Sequence, residues 1–164
     1  KPEHMTHLRG RVLVEKTHPR IAFRGAVDSL EAELLLCILK LPELAAPLGE
    51  ILDLARMMIR CDVMEEPLEN KTLCGLTEAE QRQHSHFPKA HYGIPHFMPQ
   101  STDGEKILYL NKVRCAARQT ELAAVRAFVS PEGVVTRPDI LRAMNRMSSM
   151  LYILMIRLKA DQNR

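Results

Sequence analysis

Aromatic residues are scarce in this 164-residue chain, where they make up 4% of the sequence and include no Trp. Hydrophobic residues still account for 46% and charged residues for 26%, which is ordinary for a folded globular protein. The core must therefore be aliphatic, with the nine Met as fillers. This length suits one domain, so we expect residues 1–164 to form a single helical domain.

Several features that would define a class of protein are missing. No apolar run reaches the length of a membrane span, and the most apolar stretch, 34–41, contains Lys40 and fits a buried helix. The four cysteines form no CxxC pair, so a reducing cytoplasm is the expected compartment. The net charge of +3 is dispersed among acidic residues, which argues against nucleic acid as a partner.

Sequence signatures of phosphate binding are also missing. Neither a Walker-type glycine-rich loop nor a GxGxxG pattern occurs in the chain. A phosphate site would have to be built from scattered basic side chains, and Lys16, Arg20 and Arg24 are suitable candidates. A solvated basic arm is the alternative interpretation of these three residues.

Helical periodicity is the only periodicity present, so the predicted fold class is all-α. Residues 1–26 should form an irregular basic arm before a first helix, which Asp28 or Ser29 can cap. A second helix should begin near Pro47 and pack antiparallel to the first. A capping box at Thr77 should open a short third helix, and residues 87–103 should form a proline-rich loop.

Two long helices complete the predicted fold, one from Glu105 to Phe128 and one from Pro138 onward, with Thr136 near its cap. Together these segments predict an up-and-down helical bundle of about five helices. Asn145 and Ser148 lie on the flank of the last helix, where an amide needs a hydrogen-bond partner. That partner is either a ligand or a neighbouring helix.

Charged residues occupy the face of the fourth predicted helix that its apolar residues mark as buried. At 100° per residue, Arg114 and Glu121 fall inside the apolar arc and Arg118 lies at its edge. The arc is defined by Ile107, Leu110, Ala117, Val125 and Phe128. The pattern indicates an anion-binding cleft, a structural ion-pair network or a subunit interface, and spacing alone does not choose among them.

Four histidines lie in or near the proline-rich loop: His84, His86, His91 and His96. Their spacing matches no compact zinc template, and no cysteine or acidic partner accompanies them. We therefore predict no metal site in the chain, although a four-helix metal protein that uses these histidines is one alternative.

Four segments occur in one order along nearly the whole chain. They are Lys16 to Asp28, with the pattern K-x-x-P-R-x-x-x-x-G-x-x-D; His96 to Pro99; Arg114 to Glu121, with R-x-x-x-R-x-x-E; and Asn145 to Ser148. Together they resemble the ATP:corrinoid adenosyltransferases of the PduO type and, more closely, their ethanolamine-utilisation (EutT-type) relatives. Residues 62–68 and 137–141 resemble the ethanolamine subgroup in particular.

The resemblance implies an enzyme that transfers the 5′-deoxyadenosyl group from ATP to cob(I)alamin and so makes adenosylcobalamin. The substrates would be ATP, accompanied by Mg²⁺, and the reduced corrinoid. The product would serve ethanolamine ammonia-lyase. A non-catalytic corrinoid- or nucleotide-binding sensor of the same fold is the alternative function.

The resemblance also implies roles for particular residues. Arg114 and Arg118 would stabilise charge on the leaving triphosphate, and Asp28 would pair with Arg114 across a subunit boundary. The implied ATP-binding residues are Lys16, Arg20, Arg24, Glu121 and Asn145. Phe97 lies where the family places an apolar side chain beneath the corrin ring, with His96 and Met98 as alternatives.

The implied assembly is a homo-oligomer, with a trimer ahead of a dimer, and a flavodoxin-type protein or a flavin would reduce the cobalt. The implied location is the cytoplasm, with a bacterial microcompartment as a further candidate. The chain lacks the TRxGDxG phosphate loop of PduO types and the upstream His and Cys motif of the ethanolamine subgroup. The chain is therefore expected to be either a core that follows an upstream segment or a variant without the metal, and Fe²⁺ or Zn²⁺ would bind only if an upstream segment carries the motif.

Overall fold

The computed structural model describes residues 1–69 and 72–164. Within these ranges the chain forms six α-helices: α1 (Pro19–Lys40), α2 (Ala45–Met64), α3 (Glu78–His86), α4 (Pro88–Tyr92), α5 (Glu105–Phe128) and α6 (Pro138–Gln162). Two short antiparallel hairpins accompany them: β1 (Met5–Arg9) with β2 (Val12–Glu15), and β3 (Thr72–Leu73) with β4 (Leu76–Thr77). No helix of the described ranges is both long and apolar enough to cross a membrane. The all-α prediction is confirmed, and the hairpins are additions to it.

The N-terminal segment differs from the irregular arm predicted over residues 1–26. It contains the β1–β2 hairpin, and α1 begins at Pro19, well before Asp28. Proline is favoured in a first turn, where its missing N–H is not needed, and His18 Nδ1 accepts the Arg20 amide at 3.1 Å. Arg20 therefore lies in the first turn of a helix, and Asp28 lies inside that helix instead of capping it.

The core is aliphatic, as the composition predicts. Its largest fully buried side chains include Leu30, Leu34, Met58, Met144 and Met147, which come from α1, α2 and α6. The aromatic exception is an edge-to-face pair between Phe23 of α1 and Phe128 of α5, with ring centroids 5.3 Å apart. These contacts join the four long helices around one core.

Contacts between side chains fix the directions of the long helices. Arg20 of α1 binds Asp62 near the end of α2, so these two helices are antiparallel, as predicted. Lys40 near the end of α1 pairs with Glu105 at the start of α5, so these two are antiparallel as well. Below, the end of the bundle that holds Arg20, Asp62 and Phe128 is called the Arg20 end.

The segment between α2 and α5 returns along the bundle, because both of these helices run opposite to α1. In this segment α3 packs on α6, where Gln81 Nε2 donates to the Arg146 carbonyl at 2.5 Å. The predicted capping box is present, with Thr77 Oγ1 accepting the Glu80 amide at 3.2 Å. The loop predicted over residues 87–103 is interrupted by α4 and by a 3₁₀ turn at Ser101–Asp103.

Candidate functional site

One buried carboxylate binds two arginines at the Arg20 end. Arg20 and Arg24 are four residues apart and so share a face of α1, and Asp62 lies opposite them in the last turn of α2. Asp62 is fully buried; its Oδ1 accepts Arg20 Nε at 2.9 Å and its Oδ2 accepts Arg24 Nε at 2.7 Å. Arg20 Nη2 also donates to the Asp62 carbonyl at 2.8 Å. Arg20 Nη1 also lies 3.5 Å from Glu65 Oε1, and Glu65 pairs with Arg9, so the three arginines and two carboxylates carry one positive charge in excess.

One terminal nitrogen of this cluster and a nearby lysine retain donor capacity. Arg24 Nη2 is buried and has no hydrogen-bond partner within the described ranges. Lys16 lies just before α1 with an exposed side chain that forms no ion pair with any described residue. The structure thus brings Lys16, Arg20 and Arg24 to the N-terminus of α1, where the helix dipole also favours an anion.

A cavity of about 460 Å³ opens beside the cluster. Its walls include parts of both segments that resemble the ethanolamine subgroup, and these segments contact each other. Arg137 Nη2 donates to the Glu66 carbonyl at 2.8 Å, and Asp139 Oδ2 accepts the Leu68 amide at 2.9 Å. Burial would raise the pKa of Asp139, but hydrogen bonds from Arg137 and two backbone amides outweigh that effect and lower it.

The charged face predicted on α5 lies beside the core and not within it. Arg114 and Glu121 are half-buried, Arg118 is exposed, and Val125, placed in the arc by periodicity, is 41% exposed. The buried face is centred on Val113, Ala117, Thr120 and Ala124. The predicted buried face was therefore wrong at Val125, because the observed buried face is rotated around the helix axis away from that residue.

A second cluster forms around Arg114, midway along the bundle. Arg114 donates to Asn111 Oδ1, with Nη2 at 2.9 Å, and its Cζ lies 5.9 Å from the centroid of the Tyr152 ring. Tyr152 stacks on His96, with ring centroids 5.7 Å apart and an interplanar angle of 8°. The structure therefore brings a predicted catalytic residue close to a predicted corrin-binding residue through a tyrosine that sequence reasoning did not select.

The residues after His96 differ in accessibility. Phe97 is half-buried and packs against the core, with Lys159 Nζ 5.7 Å from its ring centroid. Met98 is 82% exposed, which is unusual for a methionine. A cavity of about 490 Å³ lies beside this segment, and its walls include Phe87, Pro95 and His96. An apolar surface is thus available next to the predicted corrin-binding residues.

The other predicted site residues lie on the outside of the bundle. Asn145 is exposed, and its carbonyl accepts Ser148 Oγ at 3.2 Å. Arg118 and Glu121 contribute to a cavity of about 270 Å³. Asp28 is exposed and forms no ion pair with any residue of the described ranges, Arg114 included.

The two clusters lie far apart in a single chain. Phe128 marks the Arg20 end of α5, and Arg114 lies about 21 Å from it along the axis at 1.5 Å per residue. Arg114 is therefore joined to His96 and Phe97 but separated from Arg20 and Arg24. No hydrogen bond or ion pair within the described ranges joins the two clusters.

The sequence predicted no metal site at the histidines in and near α3 and α4. His84 and His91 stack with centroids 4.0 Å apart, and His84 Nδ1 lies 2.5 Å from Tyr92 Oη. Burial lowers the pKa of His84, and the neighbouring His91 lowers it further. The described residues contain no group of three or more His, Cys, Asp or Glu side chains that could hold a metal ion.

Comparison with known proteins gives a consistent result over most of the chain. The family model for cobalamin adenosyltransferase matches residues 1–158. The chain is 36% identical over 157 residues to the corrinoid adenosyltransferase EutT of Salmonella typhimurium and 34% identical to the protein of the same name from Escherichia coli. Each match covers 95% of this chain and 59% of the relative, so the chain spans less than two thirds of these proteins. No solved structure matches it.

Proposed function

Because the chain belongs to the cobalamin adenosyltransferase family, we propose that it forms the catalytic core of an enzyme that transfers the 5′-deoxyadenosyl group from ATP to cob(I)alamin. The observation that carries this proposal is the contact of Arg114 and His96 with the same tyrosine. It supports one site where a leaving triphosphate and a corrin ring lie side by side. The curated relatives bear the name of this activity, although they extend beyond the matched region.

The chemistry requires charge stabilisation more than acid–base catalysis. The electron pair of Co(I) attacks C5′ of ATP, a Co–C bond forms, the C5′–O bond breaks, and triphosphate departs with its negative charge. Arg114 and Arg118 would stabilise that charge, since a guanidinium presents several fixed donors to phosphate oxygens. Glu121 and Asn145 would complete the nucleotide site.

The remaining phosphate contacts would come from Lys16, Arg20 and Arg24, with Mg²⁺ neutralising part of the charge of ATP. The buried and unpartnered Nη2 of Arg24 fits this role, because a buried donor without an acceptor is costly until an anion arrives. Asp62 would hold both guanidiniums by their Nε atoms, which fixes the position of the arginine pair.

The corrin ring would lie against the apolar side chains of residues 96–98. Phe97 is the proposed residue beneath the ring, and it packs against the core with Lys159 of α6 over its ring. Met98 projects into solvent and would cover a further part of the ring. If such side chains displace the lower axial ligand, the cobalt becomes easier to reduce. The protein would thus tune the reactivity of the bound corrinoid.

A homo-oligomer would resolve the separation of the two clusters. Helix α1 is apolar on the face opposite its core, where Ala32, Leu35, Leu36 and Leu39 follow the helical repeat and Leu39 is 75% exposed. Asp28 lies on this same outer face of α1. A second copy packed here would cover the leucines and give Asp28 access to Arg114 of its neighbour. We propose a trimer, with a dimer as the second choice.

The cell must also supply electrons, because the reaction consumes cobalt in the Co(I) state. We propose a flavodoxin-type protein or a reduced flavin as the donor. By its likeness to the ethanolamine-utilisation relatives, the product would serve ethanolamine ammonia-lyase. The cytoplasm, or a microcompartment within it, is the proposed location.

Anaerobic incubation of the full-length protein with ATP and chemically reduced cobalamin tests this function. We expect the visible spectrum of adenosylcobalamin to appear, and to be absent when ATP is omitted. Binding of both ligands without product would favour the non-catalytic sensor. Failure to bind corrinoid would refute the adenosyltransferase, and failure to bind either corrinoid or ATP would refute both functions.

A further inference from the structure

Tyr152 contacts three residues of the proposed site. Its ring lies 5.9 Å from Arg114 Cζ and is stacked on the His96 imidazole, and its hydroxyl lies 2.8 Å from His96 Nδ1. The Phe97 backbone lies near the same hydroxyl, where it acts to lower the pKa of Tyr152 against the larger effect of burial. A side chain on the rigid α6 helix therefore touches both the α5 arginine and the loop that precedes α5.

The direction of the hydroxyl's hydrogen bond follows from its neighbours. His96 Nε2 lies 3.2 Å from the His86 carbonyl, which can only accept, so Nε2 carries the proton. In a neutral imidazole Nδ1 is then the acceptor, and Tyr152 must donate to it. The phenol hydroxyl is therefore used in holding His96, beside the Phe97 backbone.

The ring of Tyr152 has a separate task. An arginine over an aromatic face is attracted to it, and the contact is strengthened where the ring is partly withdrawn from water. Burial raises the pKa of Tyr152, which keeps the hydroxyl protonated and able to donate. Asn111 Oδ1 accepts hydrogen bonds from Nε and Nη2 of the guanidinium. Arg114 is therefore fixed between a neutral amide and a neutral ring, and neither neutralises its charge.

We propose that Tyr152 is a positioning residue that sets the distance between Arg114, at the triphosphate, and the corrin-binding segment 96–97. This inference rests on the proposed function. The hydroxyl would orient the loop toward the corrin, and the ring would orient Arg114 toward the nucleotide. The two substrates would thus be aligned by one side chain that need not touch either of them.

The substitution Tyr152→Phe separates the two tasks, because it removes the hydroxyl and keeps the ring. We expect a several-fold rise in the KM for cob(I)alamin with the KM for ATP unchanged, and a matching loss in the equilibrium binding of cob(II)alamin followed by absorption. Tyr152→Leu removes both contacts and should also lower kcat. Tyr109→Phe is the matched control, since Tyr109 lies on α5 with Lys40 over its ring, away from Arg114.

A double-mutant cycle with His96→Ala tests whether Tyr152 acts through the histidine. If it does, adding Tyr152→Phe to His96→Ala should change corrinoid binding much less than Tyr152→Phe does alone. If the wild type is active and Tyr152→Phe binds corrinoid as tightly as the wild type, this inference is wrong and the adenosyltransferase proposal stands. An inactive wild type would overturn the proposed function, and the cob(II)alamin titration would still report on Tyr152.

Discussion

Asp62 Oδ2 accepts a hydrogen bond from Arg24 Nε at 2.7 Å, from a position where the carboxylate has no contact with solvent. Removing its charge in Asp62→Asn leaves Arg24 and Arg20 without their buried counterion. We expect the free energy of unfolding to fall by about 3 kcal/mol, as for other buried pairs broken on one side. Urea denaturation followed by circular dichroism measures this change.

The control for Asp62→Asn is an ion pair with an exposed partner. Glu33 pairs with Lys112 at 3.1 Å, and the lysine side chain is mostly exposed. Glu33→Gln should leave stability nearly unchanged, because such pairs are screened by solvent. Equal losses in the two variants would contradict the special role of the buried carboxylate.

The sequence predicted those helices whose ends carry local signals. Gly104 precedes α5 and the Ser130–Gly133 turn follows it. The observed bounds of α5, Glu105 and Phe128, agree with the prediction. The start of α1 was misplaced because Asp28 and Ser29 resemble caps, whereas the actual signal was Pro19 in the first turn. The β1–β2 hairpin was missed because its strands are short and lack a continuous alternation of polar and apolar residues.

The candidate site was predicted as a set of residues but not as an arrangement. Basic side chains and a charged helix face pointed to Arg20, Arg24 and Arg114, and the resemblance supplied their roles. Nothing local in the sequence marks Asp62 or Tyr152 as their partners. Both partnerships depend on how one helix is set against another along its axis. That register is decided by the packing of the whole core, which no single segment encodes.

Arg114→Ala should abolish most of the activity without unfolding the bundle. The side chain is half-buried at the edge of the core, and its neighbours Asn111 and Tyr152 are neutral, so its loss leaves no buried charge unpaired. Turnover should fall by about 100-fold, as when one donor to a developing negative charge is removed. Initial rates of adenosylcobalamin formation give this number, and the unfolding temperature should not change.

A substitution elsewhere on α5 provides the control for Arg114→Ala. Arg126 is an exposed arginine in the last turn of the same helix. Arg126→Ala should retain wild-type turnover. Unfolding of the Arg114→Ala variant would favour a structural role for that arginine.

Met98→Ala and Phe97→Ala should have different effects on stability. Met98 is mostly exposed, so its truncation should weaken corrinoid binding several-fold and leave the unfolding temperature unchanged. Phe97 packs against the core beneath Lys159, so its truncation should lower both corrinoid affinity and stability. Titration with cob(II)alamin and thermal melts separate the two effects. Unchanged affinity in both variants would exclude residues 97–98 from the corrin site.

Leu39→Glu should dissociate the proposed oligomer, because it places a charge at the most exposed leucine of the outer stripe of α1. The molar mass from light scattering should fall to that of one chain, and activity should fall with it if Asp28 acts on a neighbouring subunit. Leu13→Glu, at an exposed leucine of β2, is the matched control and should leave the mass unchanged. A wild type that is already monomeric would contradict the proposed assembly, and its mass otherwise distinguishes a trimer from a dimer.

Stability should decline in mildly acidic solution partly because of His84. Its pKa is lowered in the folded chain, chiefly by burial and then by His91, whereas in the unfolded chain it should be near the ordinary value of about 6.5. As pH falls through that value the unfolded chain takes up a proton that the folded chain resists, so the free energy of unfolding decreases. Between pH about 7.5 and about 5.5, the unfolding temperature of His84→Asn should fall by less than that of the wild type. The exposed His7 is the control, and a loss in His84→Asn as large as in His7→Asn would assign the acid sensitivity to other groups.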